Sequence, residues 1–200
     1  GEVFFNRERV EHLEYTKMIA SDEISKNAHL CLACYEKSNP VINKAVESSI
    51  NTVNSSSMGR LFDAVSALLD IKHYNTYEGE CAIALESCAR KAKKPYYIRH
   101  SFSPTEIIDE IKSANAPKEE IALGFHYMLA ELILKTAEKY GVEQIVLSGG
   151  CFNNEILTSK AIELLEEKNY RVYINSIVPC SDQGICVGQA YLQALRQIKE

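Results

Sequence analysis

The sequence predicts an α/β fold in which parallel strands are covered by helices on both faces. Ile145 to Leu147 are continuously apolar, as expected for a parallel strand, and the run stops at Gly149 and Gly150. Helical spacing follows the glycines, and a second strand is expected at 170–178. These segments form a βαβ unit, whose two strands are parallel with a right-handed crossover.

The bulk composition excludes several classes of protein. The 200 residues are 46% hydrophobic and 24% charged, which is typical of a globular domain that buries a core. The formal net charge of -5 argues against a broad nucleic-acid-binding surface. No apolar run approaches a membrane span and no signal peptide is seen, so we expect a cytoplasmic protein with no nucleic-acid or membrane partner. The seven cysteines, an odd number, indicate reduced thiols.

The first fifty residues predict a hairpin and two helices. The hairpin joins 2–6 to 9–18, and an opening directly in a strand suggests that the chain was cut from a longer one. Helices are expected at about 25–36 and 41–49. Pro40 separates them because the residue before a proline avoids the helical region.

The first helix carries His29, Cys31 and Cys34 in the pattern H-x-C-x-x-C. A structural zinc site needs four ligands, and no second Cys or His pair follows at zinc-finger spacing. The favoured interpretation is therefore that the cysteines are buried and pack as small hydrophobic side chains.

A polar loop at 54–60 leads into a third helix. Its apolar stripe is Leu61, Phe62, Val65, Leu68 and Leu69. A serine caps the helix, and Asp63 lies in its first or second turn, pointing away from the stripe. Asp63 either complements the positive end of the helix dipole or accepts a hydrogen bond from a ligand hydroxyl, and its position alone favours the dipole role.

Three further helices are expected in the middle of the chain. One opens at 76–80, where Gly79 places bare backbone near the helix start, and the segment 96–99 after it is an edge strand or a surface loop. The next begins at Ser103 with a serine cap, a proline and a glutamate three residues after the cap. The longest runs from about 121 to 140 and ends at Gly141. His126 lies beside its apolar face, where most histidines are packed and hydrogen-bonded.

The turn after the Ile145 strand is a candidate anion site. Gly149 and Gly150 remove the Cβ atoms that would keep a ligand from the backbone, and the next helix directs its free N–H groups at the turn. The same pattern also occurs in α/β proteins with no ligand there.

A second turn, at 179–184, ends the next strand and opens the last helix. The positions expected to be buried in that helix are Val187, Tyr191, Ala194, Leu195 and Ile198. Both turns lie at the carboxyl edge of the predicted sheet, where open α/β sheets bind ligands. Asp182 there either caps the helix with Ser181 or supplies an oxygen to a divalent metal, which needs further ligands.

Four motifs, in order and at matching spacing, resemble the carboxyl-terminal part of the HypF carbamoyltransferases of nickel–iron hydrogenase maturation. They are SSMGRLFDAV at 56–65, YEG at 77–79, LSGGCFNN at 147–154 and PCSDQGICVGQA at 179–190. The resemblance covers essentially the whole chain. It implies a lobe of an actin-like ATPase (ASKHA, ribonuclease H-like) fold, with a mixed sheet and helices on both faces, shared with the tRNA threonylcarbamoyl transferases.

The resemblance also implies a nucleotide site. Gly149, Gly150 and Asn154 match the Gly-Gly turn and asparagine that hold the nucleotide in this family. Asp63 and Gly79 match ribose-side contacts. The nucleotide that the resemblance implies is ATP, AMP or carbamoyl adenylate.

Asp182 matches the aspartate that completes a metal site (Fe, Zn or Mg) with two histidines of the family's amino-terminal lobe. That lobe and the domains upstream of it have no counterpart here, so residues 1–200 are interpreted as the C-terminal lobe of a longer protein. Two positions depart from the family pattern. Cys151 replaces a small apolar residue and is interpreted as packing, whereas Ala84 replaces an acidic residue of the ribose contact.

By the same resemblance, the whole protein uses carbamoyl phosphate and ATP to form carbamoyl adenylate, and carbamoylates the C-terminal cysteine of its partner HypE. The lobe alone is expected to be inactive, to bind nucleotide weakly at most, and to form a homodimer through the face exposed by the missing lobe. Two alternatives stay open. One is a tRNA threonylcarbamoyl or small-molecule O-carbamoyl transferase. The residues at 152–153 and 184–189 favour the HypF carbamoyltransferases over the tRNA threonylcarbamoyl transferases. The other is a non-catalytic nucleotide-sensing module.

Overall fold

Strands pair two by two in this structure, a computed structural model that describes residues 2–5 and 8–197. The antiparallel pairs are β1 (Glu2–Phe5) with β2 (Glu8–His12) and β3 (Thr16–Ile19) with β4 (Thr52–Ser55), and the parallel pair is β5 (Gln144–Leu147) with β6 (Arg171–Ile174). Parallel and antiparallel pairing, which a mixed sheet combines, are thus both present. In the described residues they occur in separate two-stranded sheets. The predicted α/β class is confirmed.

Helices make up most of the remaining structure. They are α1 (Ala28–Glu36), α2 (Pro40–Glu47), α3 (Met58–Leu68), α4 (Glu80–Ala89), α5 (Pro104–Ser113), α6 (Lys118–Tyr140), α7 (Glu155–Glu167) and α8 (Ile185–Gln197). The chain divides into two compact units, residues 1–128 and 129–200. None of the described helices is long and apolar enough to cross a lipid bilayer.

The first unit is built around α3, which packs against α1 and α4. Its side chains Leu61, Phe62 and Val65 are fully buried, as the apolar stripe predicts. Phe62 meets Phe125 edge to face, with 5.1 Å between the ring centroids. Ser57 caps α3 by accepting a hydrogen bond from the Arg60 N–H, so the predicted serine cap is confirmed.

Several boundaries in the first unit differ from the prediction. The hairpin exists, but 9–18 holds two strands, and the second of these, β3, pairs with β4. The polar loop expected from residue 54 therefore begins inside a strand. Segment 96–99 is a loop, whose Ile98 is buried. Ser103 stands at the N-cap of α5 without a side-chain cap bond, and the Ser101 hydroxyl donates to Glu106 instead.

The βαβ pattern of the second unit is confirmed, with β5 and β6 in parallel register and α7 between them. Leu147 is buried, whereas Val146 is 70% exposed, so β5 is covered on one face only in the part of the chain that is described. The prediction that α8 has a buried face is wrong. Val187, Tyr191 and Leu195 are exposed, Ala194 is exposed too, and no residue of α8 is buried among the residues that the structure describes. Ile198 lies outside the described residues.

Candidate functional site

Asp63 is buried on α3, with 4% of its surface exposed. Arg60 Nη1 donates to its Oδ2 at 3.0 Å, and Asn75 Nδ2 donates to its Oδ1 at 3.1 Å. Burial raises the pKa of the Asp63 carboxyl, while the Asn75 hydrogen bond and the Arg60 charge lower it. The carboxylate is therefore held in one orientation by a cation and an amide.

Gly79 lies at the N-cap of α4 in the left-handed region, with φ 78°, a conformation that favours glycine. No atom lies within 4 Å of the position a Cβ would take there, so the backbone of this turn is open to a ligand. Glu80 follows Gly79 and is the first residue of α4. Its carboxylate accepts hydrogen bonds from the Thr76 N–H and hydroxyl and pairs with Lys72 at 2.8 Å, which lowers its pKa to about 2.

Asn75 contacts the candidate site residue Asp63, a link that the sequence alone did not reveal. It is 7% exposed and its Oδ1 accepts from the Cys81 N–H at 2.7 Å, in the first turn of α4. Asn75 therefore contacts Asp63 with one end of its amide and the helix that follows Gly79 with the other. The sequence signals this role of Asn75 only by its position, two residues before Tyr77 in a connection between helices.

The second unit presents the Gly149–Gly150 turn directly after β5. Gly149 has φ 106° and Gly150 has an ordinary φ, and no atom lies within 4 Å of a Cβ built on either. The next turn of chain is a 3-10 helix, Gly150–Asn153. Asn154 then caps α7, because its Oδ1 accepts from the Leu157 N–H at 2.9 Å. The strand, open turn and helix start have the local form that an anion site requires.

Asp182 belongs to the same edge of the second unit. The Gly149 N–H donates to the Cys180 carbonyl at 2.9 Å, which ties the glycine turn to the 179–184 segment. Asp182 is exposed and opens a 3-10 helix before α8, and Ser181 makes no side-chain cap bond there. Its carboxylate suits a hard divalent cation as one ligand. Among the residues that the structure describes, no group of three His, Cys, Asp or Glu side chains could hold a metal.

The thiols of the first unit are structural. Cys31 and Cys34 are buried in α1, as the packing interpretation predicts, and burial raises the pKa of Cys31 to about 12. His29, the third member of that pattern, stacks on His73 with 4.3 Å between ring centroids. His126 is fully buried and its Nδ1 lies 2.7 Å from the Ala122 carbonyl, which agrees with the packed role expected for it. Burial lowers its pKa.

The predicted site residues thus fall into two groups. Asp63 and Gly79 are linked through Asn75 within the first unit. Gly149, Gly150, Asn154 and Asp182 lie along one edge within the second unit, linked by the Gly149 to Cys180 hydrogen bond.

Comparisons with known proteins identify relatives of this chain. Carbamoyltransferase HypF of Synechocystis sp. is 33% identical over 155 residues, which cover 72% of this chain and 20% of the relative. The crystal structure of T. kodakarensis HypF matches with a TM-score of 0.83 and 26% identity, over 96% of this chain and 30% of that one. A full-length HypF in its phosphate- and nucleotide-bound form matches with a TM-score of 0.74 and 31% identity, over 92% and 28%.

The chain therefore spans less than a third of the length of these relatives. Their architecture confirms the actin-like lobe that the sequence motifs predict. The family model described as "Carbamoyltransferase, Kae1-like Domain, second subdomain" matches residues 5–189. Because that match covers nearly the whole sequence, the chain belongs to the Kae1-like carbamoyltransferase family, as its second subdomain.

Proposed function

We propose that this chain is the nucleotide-binding lobe of a carbamoyltransferase. The observation that carries the proposal is the open edge of the second unit, where Gly149 and Gly150 leave the backbone accessible at the end of β5. Asn154 then begins a helix whose N–H groups and dipole favour an anion. A nucleotide has the negative charge and the size to use both features.

We assign contacts with the nucleotide to each of the two groups of residues separately. Gly149, Gly150 and Asn154 hold it at the glycine turn. Asp63 accepts a hydrogen bond from a ribose hydroxyl, and the bare backbone at Gly79 lets the sugar approach the start of α4. Support comes from the fixed carboxylate of Asp63 and from the family membership.

Asp182 would contribute one oxygen ligand to a divalent cation, Fe, Zn or Mg, whose other protein ligands lie outside this chain. A bound cation stabilises negative charge on phosphate and on the leaving group. The chain's own contribution is position, since the Gly149 to Cys180 hydrogen bond holds the Asp182 segment beside the glycine turn.

For the whole protein we propose carbamoyl transfer from carbamoyl phosphate, with ATP, through carbamoyl adenylate. The thiolate of the C-terminal cysteine of HypE attacks the carbamoyl carbon, and AMP leaves. The lobe described here supplies binding and orientation, and no residue of it is assigned as an acid, base or nucleophile. Cys151 is accordingly a packing residue.

The alternatives make different predictions. A tRNA or small-molecule transferase would form a different carbamoylated product, whereas a nucleotide sensor would bind nucleotide tightly on its own and form no product. An assay of the full-length protein with ATP, carbamoyl phosphate and HypE separates them. The expected result is AMP release and a HypE mass increased by one carbamoyl group, and product on tRNA alone would favour the first alternative.

The decisive experiment on this chain is calorimetric titration with ATP and AMP in the presence of Mg²⁺. Gly150→Ala adds a methyl group where no protein atom lies within 4 Å, so the fold tolerates it while a ligand on that backbone does not. Gly188→Ala in α8 is the matched control, because its Cβ also meets nothing. We expect weak binding that Gly150→Ala reduces at least about tenfold, equivalent to roughly 1.4 kcal/mol. Binding that is equal in all three proteins would refute the proposed position.

A further inference from the structure

The side chain of Asn75 forms three hydrogen bonds inside the first unit. Its Nδ2 donates to Asp63 Oδ1 at 3.1 Å and to the Ser25 carbonyl at 3.0 Å. Its Oδ1 accepts from the Cys81 N–H at 2.7 Å. With both amide hydrogens and the oxygen engaged and only 7% of the residue exposed, the amide has a single orientation.

These bonds connect two parts of the chain that the proposed function brings to one ribose. Asp63 is on α3, and Cys81 is two residues beyond Gly79 in the first turn of α4. The Ser25 carbonyl anchors the amide to a third segment, so rotation of the Asp63 carboxylate would cost buried hydrogen bonds.

Asp63 keeps acceptor capacity in this arrangement. A carboxylate has about four lone-pair sites, and the described bonds to Arg60 and Asn75 use one on each oxygen. The Asn75 bond also favours the ionised carboxylate against the effect of burial, and the ionised form is the stronger acceptor.

From this geometry we infer that Asn75 is a positioning residue, which fixes the Asp63 carboxylate relative to the Gly79 turn and thereby sets the preference for ribonucleotides over deoxyribonucleotides. The inference rests on the proposed function. Asn75 itself touches no ligand. A site whose buried acceptor is oriented toward a hydroxyl discriminates strongly against an analogue that lacks it, and a freely rotating acceptor discriminates less.

The test uses two variants and one control. Asn75→Leu removes all three bonds with an apolar side chain of similar size, and Asn75→Asp keeps an acceptor for Cys81 but loses the donors. Ser66→Ala is the control, because Ser66 is also buried on α3 and donates to the Lys72 carbonyl at 3.1 Å, and none of the described hydrogen bonds joins it to Asp63. Urea unfolding first establishes that each variant is folded.

The first readout is the pKa of Asp63, followed by NMR titration of its carboxyl carbon. Loss of the Asn75 hydrogen bond raises that pKa in Asn75→Leu, whereas Ser66→Ala leaves it unchanged. An unchanged Asp63 pKa in Asn75→Leu would mean that Asn75 does not position the carboxylate. That result would overturn the inference, whatever affinity for nucleotide is measured.

The second readout is the ratio of dissociation constants for ATP and for 2′-deoxyATP and 3′-deoxyATP. We expect the unaltered chain and Ser66→Ala to prefer ATP over one analogue by about tenfold or more, and both Asn75 variants to lose most of that preference. A preference retained in both Asn75 variants would overturn the inference and leave the proposed function standing. Failure of the unaltered chain to bind any of the three nucleotides would overturn both.

Discussion

Asp63 is a buried carboxylate whose pKa is raised in the folded protein, mainly by burial. The folded state then binds a proton more tightly than the unfolded state, so stability falls as the pH rises from the unfolded pKa, about 3.9, through the folded one. We therefore expect Asp63→Asn to become less destabilising, relative to the unaltered chain, as the pH increases from about 4 toward 7. Urea unfolding across that range measures the difference.

The control for this experiment is Asp109→Asn, which removes an exposed carboxylate on α5. A relative stability of Asp63→Asn that falls with increasing pH would contradict the sign given for Asp63. An equal slope in both variants would assign the effect to net charge instead of burial.

Thiol reactivity should follow burial because the thiolate is the reactive form. Burial raises the pKa of Cys31 to about 12 and that of Cys81 to about 11, while Cys186 is exposed. We expect iodoacetamide to modify Cys186 first in the native chain and to leave Cys31 and Cys81 unmodified, as read by peptide mass mapping. The same treatment in urea should label all seven cysteines, and early native labelling of Cys31 would contradict the described core.

At the scale of the element, substitution can separate the helix cap that Asn154 forms from the nucleotide contact that we propose for it. Asn154→Ala removes the cap of α7 and should lower the free energy of unfolding by about 1 kcal/mol. Asn154→Asp keeps an N-cap acceptor, so its stability should be close to that of the unaltered chain, but its new negative charge should abolish nucleotide binding. Urea unfolding and calorimetry together check the pair, and full nucleotide binding by Asn154→Asp would remove Asn154 from the site.

The packing of α6 on the 95–100 segment depends on Gly124. A Cβ on Gly124 would lie 1.9 Å from the Tyr96 carbonyl oxygen, and the Tyr96 N–H donates to the Glu120 carbonyl at 2.9 Å nearby. Gly124→Ala should therefore destabilise the chain by about 3 kcal/mol, in spite of the higher helix propensity of alanine. Gly188→Ala in α8 meets no such neighbour and should not destabilise the chain, so equal stability of the two variants would contradict this close approach.

Which elements the sequence predicts depends on how local their causes are. The stripe of α3, its serine cap and the end of α6 at Gly141 follow from local chemistry, and the structure has all three. Strand β4 was missed because its residues are mostly small and polar, and it exists by pairing with β3, from Thr16 opposite Ser55 to Ile19 opposite Thr52. Helix α8 has an amphipathic sequence, but burial also needs a surface to pack on.

The same distinction applies to the site. The glycine turn could be located from sequence because bare backbone after a strand is a local pattern. The surroundings of Asp63 could not, since its partner Asn75 is twelve residues away in sequence and meets it only after α3 and α4 pack. Contact with a ligand remains a prediction for all six site residues, which are Asp63, Gly79, Gly149, Gly150, Asn154 and Asp182.

For the whole molecule, the exposed apolar side chains of the second unit bear on the expected homodimer. Val146, Ile177 and Tyr191 are 70%, 94% and 64% exposed. Exposed apolar side chains favour self-association, since association removes them from water. We expect light scattering to give the mass of a dimer at high protein concentration, and the double variant Val146→Thr, Ile177→Ser to shift the equilibrium toward monomer. A monomeric mass of the unaltered chain at every concentration would refute the dimer.

The hydrogen bond from the Gly149 N–H to the Cys180 carbonyl has a thermodynamic meaning as well as a structural one. It joins two segments through their main chains. One is the glycine turn that we propose for the nucleotide, and the other is the segment that carries Asp182. A ligand that orders one of them lowers the entropic cost of ordering the other. Cation and nucleotide should then strengthen each other's binding by one common factor, because linkage between two sites on a protein is reciprocal.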